Sequence, residues 1–129
     1  MTGVQTCALP ILWVAGVPEK LSESARDILT STSNSFFFSA ASIWEIVIKL
    51  GLEREDFKID PHRLRKMLVL HGYTELSVTA EHALKVDSLP PLHKDPFDRL
   101  LLAQARSEGM HLLTADARIA LYQEAVIKI

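Results

Sequence analysis

One cysteine stands in the 129 residues, at Cys7. A lone thiol excludes a disulfide framework and a cysteine-built zinc site, and taken by itself it fits a reducing cytoplasm. There is no excess of basic charge either. Fourteen Lys and Arg against 16 Asp and Glu leave a formal net charge of -2. No broad positive field draws in a polyanion, so any nucleic acid must be held by a local patch or through a metal. Long apolar runs are missing too. The uncharged opening, residues 1–18, is interrupted by Gln5, Thr6, Pro10, Gly16 and Pro18, whereas a membrane-spanning helix needs ~20 consecutive apolar residues. It also lacks the basic leader of a secretory signal. The sequence shows no internal repeat and no low-complexity tract. These absences predict a cytoplasmic protein with no membrane partner.

What is present is ordinary globular material. Hydrophobic residues are 48% and charged residues 23%, which excludes intrinsic disorder and sets the expectation of one domain. Short apolar runs alternate with helix signals. Ser22 reads as the N-cap of a helix over 23–32, and Phe36-Phe37-Phe38 as a buried strand. Ser42-Ile43-Trp44-Glu45 has the spacing of a capping box and predicts a helix from there to about Leu50. Asp60-Pro61 opens a helix that Gly72 closes, Tyr73 to Val78 alternates like a strand, and Thr79 caps a helix to about Asp87. Asp95-Pro96 starts another helix, ended by Gly109. His111 to Thr114 is a strand, a short helix follows Asp116, and Ala125 to Ile129 is the last strand. Strands alternating with helices predict an α/β three-layer sandwich, a mostly parallel central sheet flanked by helices. Ligands of such sheets bind at the carboxyl ends of the strands.

Three acids fall at that edge. Glu45 follows the Phe36–Phe38 strand, Asp116 follows the His111–Thr114 strand, and Asp98 lies in the first turn of the helix opened by Asp95-Pro96. Carboxylates gathered at one edge repel unless a cation neutralises them. Oxygen donors without cysteine or a histidine pair favour Mg2+ or Mn2+, ions that clamp phosphates and activate water for in-line attack. Each acid also has a structural reading: Glu45 as a helix ion pair with Lys49, Asp98 at a helix dipole, Asp116 as a cap. Asp95 reads as an N-cap supporting the site, with Thr114 as a second support. His93 and Arg99 are candidates for substrate contact, although Arg99 has equal claim to an acidic neighbour. His62, His71, His82 and His111 are scattered, without metal-ligand spacing, and read as surface or packing residues. Arg63, Arg65 and Lys66 read as a solvated helix face.

Three runs are specific: His93-Lys94-Asp95-Pro96-Phe97-Asp98-Arg99-Leu100-Leu101-Leu102-Ala103-Gln104-Ala105, Ser39-Ala40-Ala41-Ser42-Ile43-Trp44-Glu45-Ile46, and Leu112-Leu113-Thr114-Ala115-Asp116. Together they resemble the PIN-domain family, and within it the VapC-type toxins of type II toxin–antitoxin systems, from about Ile11 to the C-terminus. The resemblance implies a Mg2+-dependent (or Mn2+-dependent) endoribonuclease acting on RNA. It also implies a homodimer silenced by a cognate antitoxin protein. By the same resemblance Glu45, Asp98 and Asp116 are three of four acidic catalytic and metal-binding positions. The fourth is missing. Family members begin with an apolar strand ending in Asp-Thr-His, and counting back from Trp13 puts that aspartate at Cys7, with Ala8 and Leu9 for the next two residues. Residues 1–11 lack the expected apolar strand and resemble translated sequencing-adapter read-through. They are read as a foreign segment joined to a PIN domain over 12–129, its first strand altered. A thiol is a poor Mg2+ ligand. The expectation is therefore an active parent and an impaired chain. The alternative is a catalytically inactive PIN-like module that binds an antitoxin or RNA.

Overall fold

The computed structural model describes residues 2–6, 19, 21–51, 60–122 and 125–128. Among these, five strands form a single sheet: β1 (Thr2–Thr6), β2 (Asn34–Ser39), β3 (Thr74–Leu76), β4 (His111–Thr114) and β5 (Val126–Lys128). Their order is β3-β2-β1-β4-β5, and every neighbouring pair is parallel. The chain winds outward from β1 to β3, then returns to the other side of β1 for β4 and β5. The carboxyl edge beside β1 is therefore the point where the winding reverses, the place where such sheets bind ligands.

The first strand falls within residues 1–11, the segment read as foreign. Residues 1–11 carry no apolar strand signal, yet Thr2–Thr6 pairs with β2 along its whole length and with β4 from Val4 onward. Backbone hydrogen bonding on both edges makes the strand, with one buried apolar side chain, Val4. Gly3 packs closely here: a Cβ there would lie 3.0 Å from Met110 Cγ, so the methionine would have to shift. Cys7, Ala8, Leu9, Pro10 and the run from Ile11 to Gly16 lie outside the described residues.

Six α-helices flank the sheet among the described residues: α1 (Glu23–Thr30), α2 (Ala40–Gly51), α3 (Pro61–Leu70), α4 (Ala80–Lys85), α5 (Pro96–Ser107) and α6 (Ala117–Ala120), with a 3-10 turn at Val86–Ser88. Most start where the sequence says they do. Ser22, Asp60, Thr79, Asp95 and Asp116 each accept a backbone N–H from the first turn that follows. Gly72 and Gly109 take the left-handed conformation past α3 and α5 (φ +90° and +68°). Behind each glycine a Schellman bond closes the helix, Tyr73 N–H to the Leu68 carbonyl and Met110 N–H to the Ala105 carbonyl.

Successive residues of β2 face opposite layers. Phe38 joins Ile46, Leu64 and Leu68 in a core under α2 and α3. Phe37 packs on the other core, built by Leu101, Leu102 and Ala105 of α5 with Leu112 and Ile119. Burying each of the large side chains stabilises the fold by ~1.5–3 kcal/mol.

Candidate active site

α2 begins earlier than the sequence predicts. Ser39, the last residue of β2, caps it by accepting the Ala41 N–H at 3.0 Å, so the helix starts at Ala40 and the Ser42–Glu45 capping box does not form. Ser42 is instead fully buried within the helix, and its hydroxyl has no partner among the described residues. Glu45, one turn further on the same face, is 8% exposed. Its carboxylate meets Lys49 Nζ at 3.3 Å, the helix ion pair that its spacing allows. Burial pushes its pKa up, and the charges of Asp98 and Asp95 push the same way, while Lys49 opposes them. The Trp44 and Phe97 rings meet edge to face at 5.3 Å. This contact joins α2 to the start of α5 one residue before each carboxylate.

α5 is set by Asp95, whose Oδ1 accepts the Asp98 N–H at 3.0 Å, with Pro96 at the first helical position. That cap holds Asp98 in the opening turn. Its Oδ2 shares a 2.8 Å hydrogen bond with His93 Nε2. Burial raises the Asp98 pKa, the His93 hydrogen bond lowers it, and the charges of Asp95 and Asp116 raise it further. Asp116 is delivered by β4. Thr114 Oγ1 accepts the Asp116 N–H at 3.1 Å, and Asp116 Oδ1 accepts the Arg118 N–H at 2.7 Å. Burial raises the Asp116 pKa, but the Arg118 N–H, the Arg118 guanidinium and His93 outweigh it and leave the pKa below its ordinary value. Two neighbouring acids are thereby driven apart, Asp98 toward the neutral form and Asp116 toward the charged one.

These elements converge. Donor atoms of His93, Asp98 and Asp116 all lie within 4.8 Å of one another. One imidazole and two carboxylates around a common point suit a divalent cation. The family model for the PIN domain matches residues 10–125. This chain belongs to the PIN-domain family.

A search of curated proteins gives no match. Solved structures share the PIN fold over nearly the whole chain. One is VapBC2 from Rickettsia felis, bound to a DNA fragment from its promoter. The fold match has a TM-score of 0.71 at 11% identity and covers 99% of this chain and 98% of that one. DNA-bound VapBC from Salmonella typhimurium matches with a TM-score of 0.62 at 14% identity, over 100% and 98% of the two chains. VapBC-1 from nontypeable Haemophilus influenzae matches with a TM-score of 0.62 at 12% identity, over 100% and 97%. No helix among the described residues is long and apolar enough to cross a membrane.

Against this PIN frame the sequence-predicted residues separate. Asp98, Asp116 and His93 come together, and Asp95 and Thr114 accept the backbone N–H groups of Asp98 and Asp116. Glu45 stands near enough to feel the charges of Asp98 and Asp95, but its carboxylate is paired with Lys49 and is not one of the converging donors. Arg99 is the correction. Rather than facing a phosphate, its guanidinium donates to the carbonyls of Val86, Leu89, Pro90 and His93 and to the Tyr122 hydroxyl. It braces the loop that carries His93. Tyr122, which the motifs do not flag, completes that brace: its hydroxyl donates to the Pro90 carbonyl at 2.7 Å and accepts the His93 N–H at 3.2 Å. Nothing in the spacing announces it, since Tyr122 lies far along the chain from both partners.

His82, read as a scattered histidine, is 2% exposed. Its Nδ1 accepts the Thr79 N–H, completing a capping box, and its Nε2 meets Glu108 at 2.8 Å. The bond from Thr79 leaves the ring proton on Nε2, so this histidine ties α4 to the end of α5. His62, His71 and His111 are on the surface, as expected, as are Arg63, Arg65 and Lys66 of α3.

Proposed function

We propose that this PIN domain is a VapC-type endoribonuclease toxin, with Mg2+ or Mn2+ as cofactor, RNA as substrate and a cognate antitoxin protein as inhibitor. Members of the family are nucleases, and the single observation that carries the reading here is the convergence of His93, Asp98 and Asp116 at the carboxyl edge of a parallel sheet. The fit to a cation rests on that donor set, and the unpartnered, buried Ser42 hydroxyl one turn from Glu45 adds a polar atom left without a protein partner. Asp98 and Asp116 are the residues that hold the ion, Glu45 lines the same edge as the third acid of the catalytic set, and Asp95 and Thr114 fix the two aspartates. A divalent cation there supplies positive charge against a phosphodiester and a hydroxide nucleophile at neutral pH. The chain's own part is to align the carboxylates. The products are a 5′-phosphate and a 3′-hydroxyl.

We read residues 1–11 as a foreign segment and 12–129 as the PIN domain, a division supported by a family match that begins at residue 10. Cys7 then stands where the family has its first aspartate, and this chain is an impaired form of an active parent. A homodimer is proposed on the apolar side chains that α2 leaves outside: Trp44 (61% exposed), Val47 and Ile48 share one face. The proposed compartment is the cytoplasm. Cys7 and the Glu45–Lys49 pair favour a second reading, an inactive PIN-like module that only engages an antitoxin or RNA.

Cleavage of a 5′-labelled structured RNA with Mg2+ or Mn2+ tests these readings. The expected series is weak cutting by the chain as it stands, more by Cys7→Asp with an apolar first strand restored, and none by Asp98→Asn or Glu45→Gln. Robust cutting by the unaltered chain sinks the impairment; no cutting by the restored chain selects the binding module.

A further inference from the structure

His93 differs from a solvated loop histidine in two ways. It is 5% exposed, and its main chain is held at both ends, the N–H by the Tyr122 hydroxyl and the carbonyl by Arg99. The brace fixes the backbone from which the ring projects, and burial and the Asp98 contact hold the ring itself. Its Nε2 lies 2.8 Å from Asp98 Oδ2, and a nitrogen of the same ring lies within 4.8 Å of an Asp116 oxygen. We propose that His93 is itself a metal ligand, so that the ion is held by one imidazole nitrogen and by oxygens of Asp98 and Asp116. This goes beyond an all-carboxylate site and rests on the metal-dependent reading above.

Metal–ligand bonds of about 2.0–2.2 Å put opposite donors ~4.4 Å apart. A spread of at most 4.8 Å closes to that with a shift of no more than a few tenths of an ångström, within the reach of aspartate rotation. The hydrogen bond between His93 and Asp98 is what the two donors do without an ion: they share one proton. A cation would take the place of that proton, which would pass to Nδ1 where the neutral ring carried it, or to solvent where Asp98 did. The consequence is selectivity. Mg2+ prefers oxygen and gains little from imidazole, whereas Mn2+ and the later divalent ions accept nitrogen. The site therefore favours Mn2+ over Mg2+.

The rival explanation is that His93 only orients Asp98. Affinity alone does not separate the two, because losing an orienting partner also weakens metal binding by ~10–100-fold. Coordinated nitrogen does. Mn2+ is bound to the full chain and pulsed electron paramagnetic resonance reads the 14N modulation of a directly bound imidazole. The modulation is expected in the unaltered chain, absent in His93→Gln and retained in His111→Gln, whose histidine lies at the opposite end of β4. Competition should show Mn2+ held at least about tenfold tighter than Mg2+, and less so in His93→Gln. Mn2+ bound without nitrogen modulation, or modulation that survives in His93→Gln, overturns the ligand assignment and leaves the metal-site reading intact. No Mn2+ binding overturns both. Because His93→Gln removes a braced side chain, 15N-histidine spectra of the unaltered chain give an independent check: Mn2+ should broaden the His93 ring signals before those of any other histidine. Equal broadening of all five overturns the proposal.

Discussion

Asp98 is under opposed demands. Buried against His93 and near two other acids, its ionised form is disfavoured in the fold, so its pKa is raised. The stability tied to this group is full below the ordinary carboxylate pKa and is lost as pH rises through the raised value. At neutral pH the metal-free protein therefore carries an unfavourable charge. Asp98→Asn should stabilise it by ~1 kcal/mol, a few degrees in Tm, while abolishing cleavage. Thermal melts check this, and the gain should vanish in acid, at pH values below ~3.9, where Asp98 is protonated in both states. The same raised pKa, shared by Glu45, means that metal affinity should keep climbing with pH beyond the ordinary carboxylate range, as a titration series would show. Asp116, with its lowered pKa, should already be ionised where Asp98 is not.

Arg99 belongs to the same scale. Its two terminal nitrogens, Nη1 and Nη2, share their N–H groups among five oxygens, a planar spread that the single ammonium of lysine cannot reproduce. Arg99→Lys should cost ~2–3 kcal/mol in urea denaturation. An unchanged midpoint would show that the brace is dispensable.

Helix starts were the most legible part of the fold. Where an acceptor side chain precedes a proline or a helical pattern, as at Asp60-Pro61 and Asp95-Pro96, the cap is a local event and the sequence states it. α2 shows how that reading fails. Both Ser39 and Ser42 have the chemistry of a cap, and a glutamate three residues after Ser42 favoured the wrong one. The choice was made by β2, which runs on to Ser39 and leaves its hydroxyl over the Ala41 N–H. Ser39→Ala should cost ~1 kcal/mol, and Ser42→Ala should cost little or even stabilise, since the Ser42 hydroxyl is buried without a partner. Comparing the two variants in one melting series decides which serine is the cap. The acids of the site were legible for the same local reason, each lying next to a strand end or helix start. The bond from Tyr122 to the His93 loop and the seat of His82 against Glu108 were not, because packing creates those partners between residues distant in sequence.

For the whole molecule, the exposed Trp44, Val47 and Ile48 predict self-association. Sedimentation velocity should give a dimer for the unaltered chain and a monomer for Val47→Glu, with the far-ultraviolet spectrum unchanged. A monomer in both would leave that face without a role in assembly.

The position of β1 has a temporal meaning. The strand at the middle of the sheet is synthesised well before its partner β4, which emerges roughly a hundred residues later, some seconds behind it on the ribosome. Until then β1 has one satisfied edge and one bare one, a template open to any other nascent strand. Whatever sequence occupies those five residues therefore governs more than the site beside them: it determines how safely the chain waits for its second half.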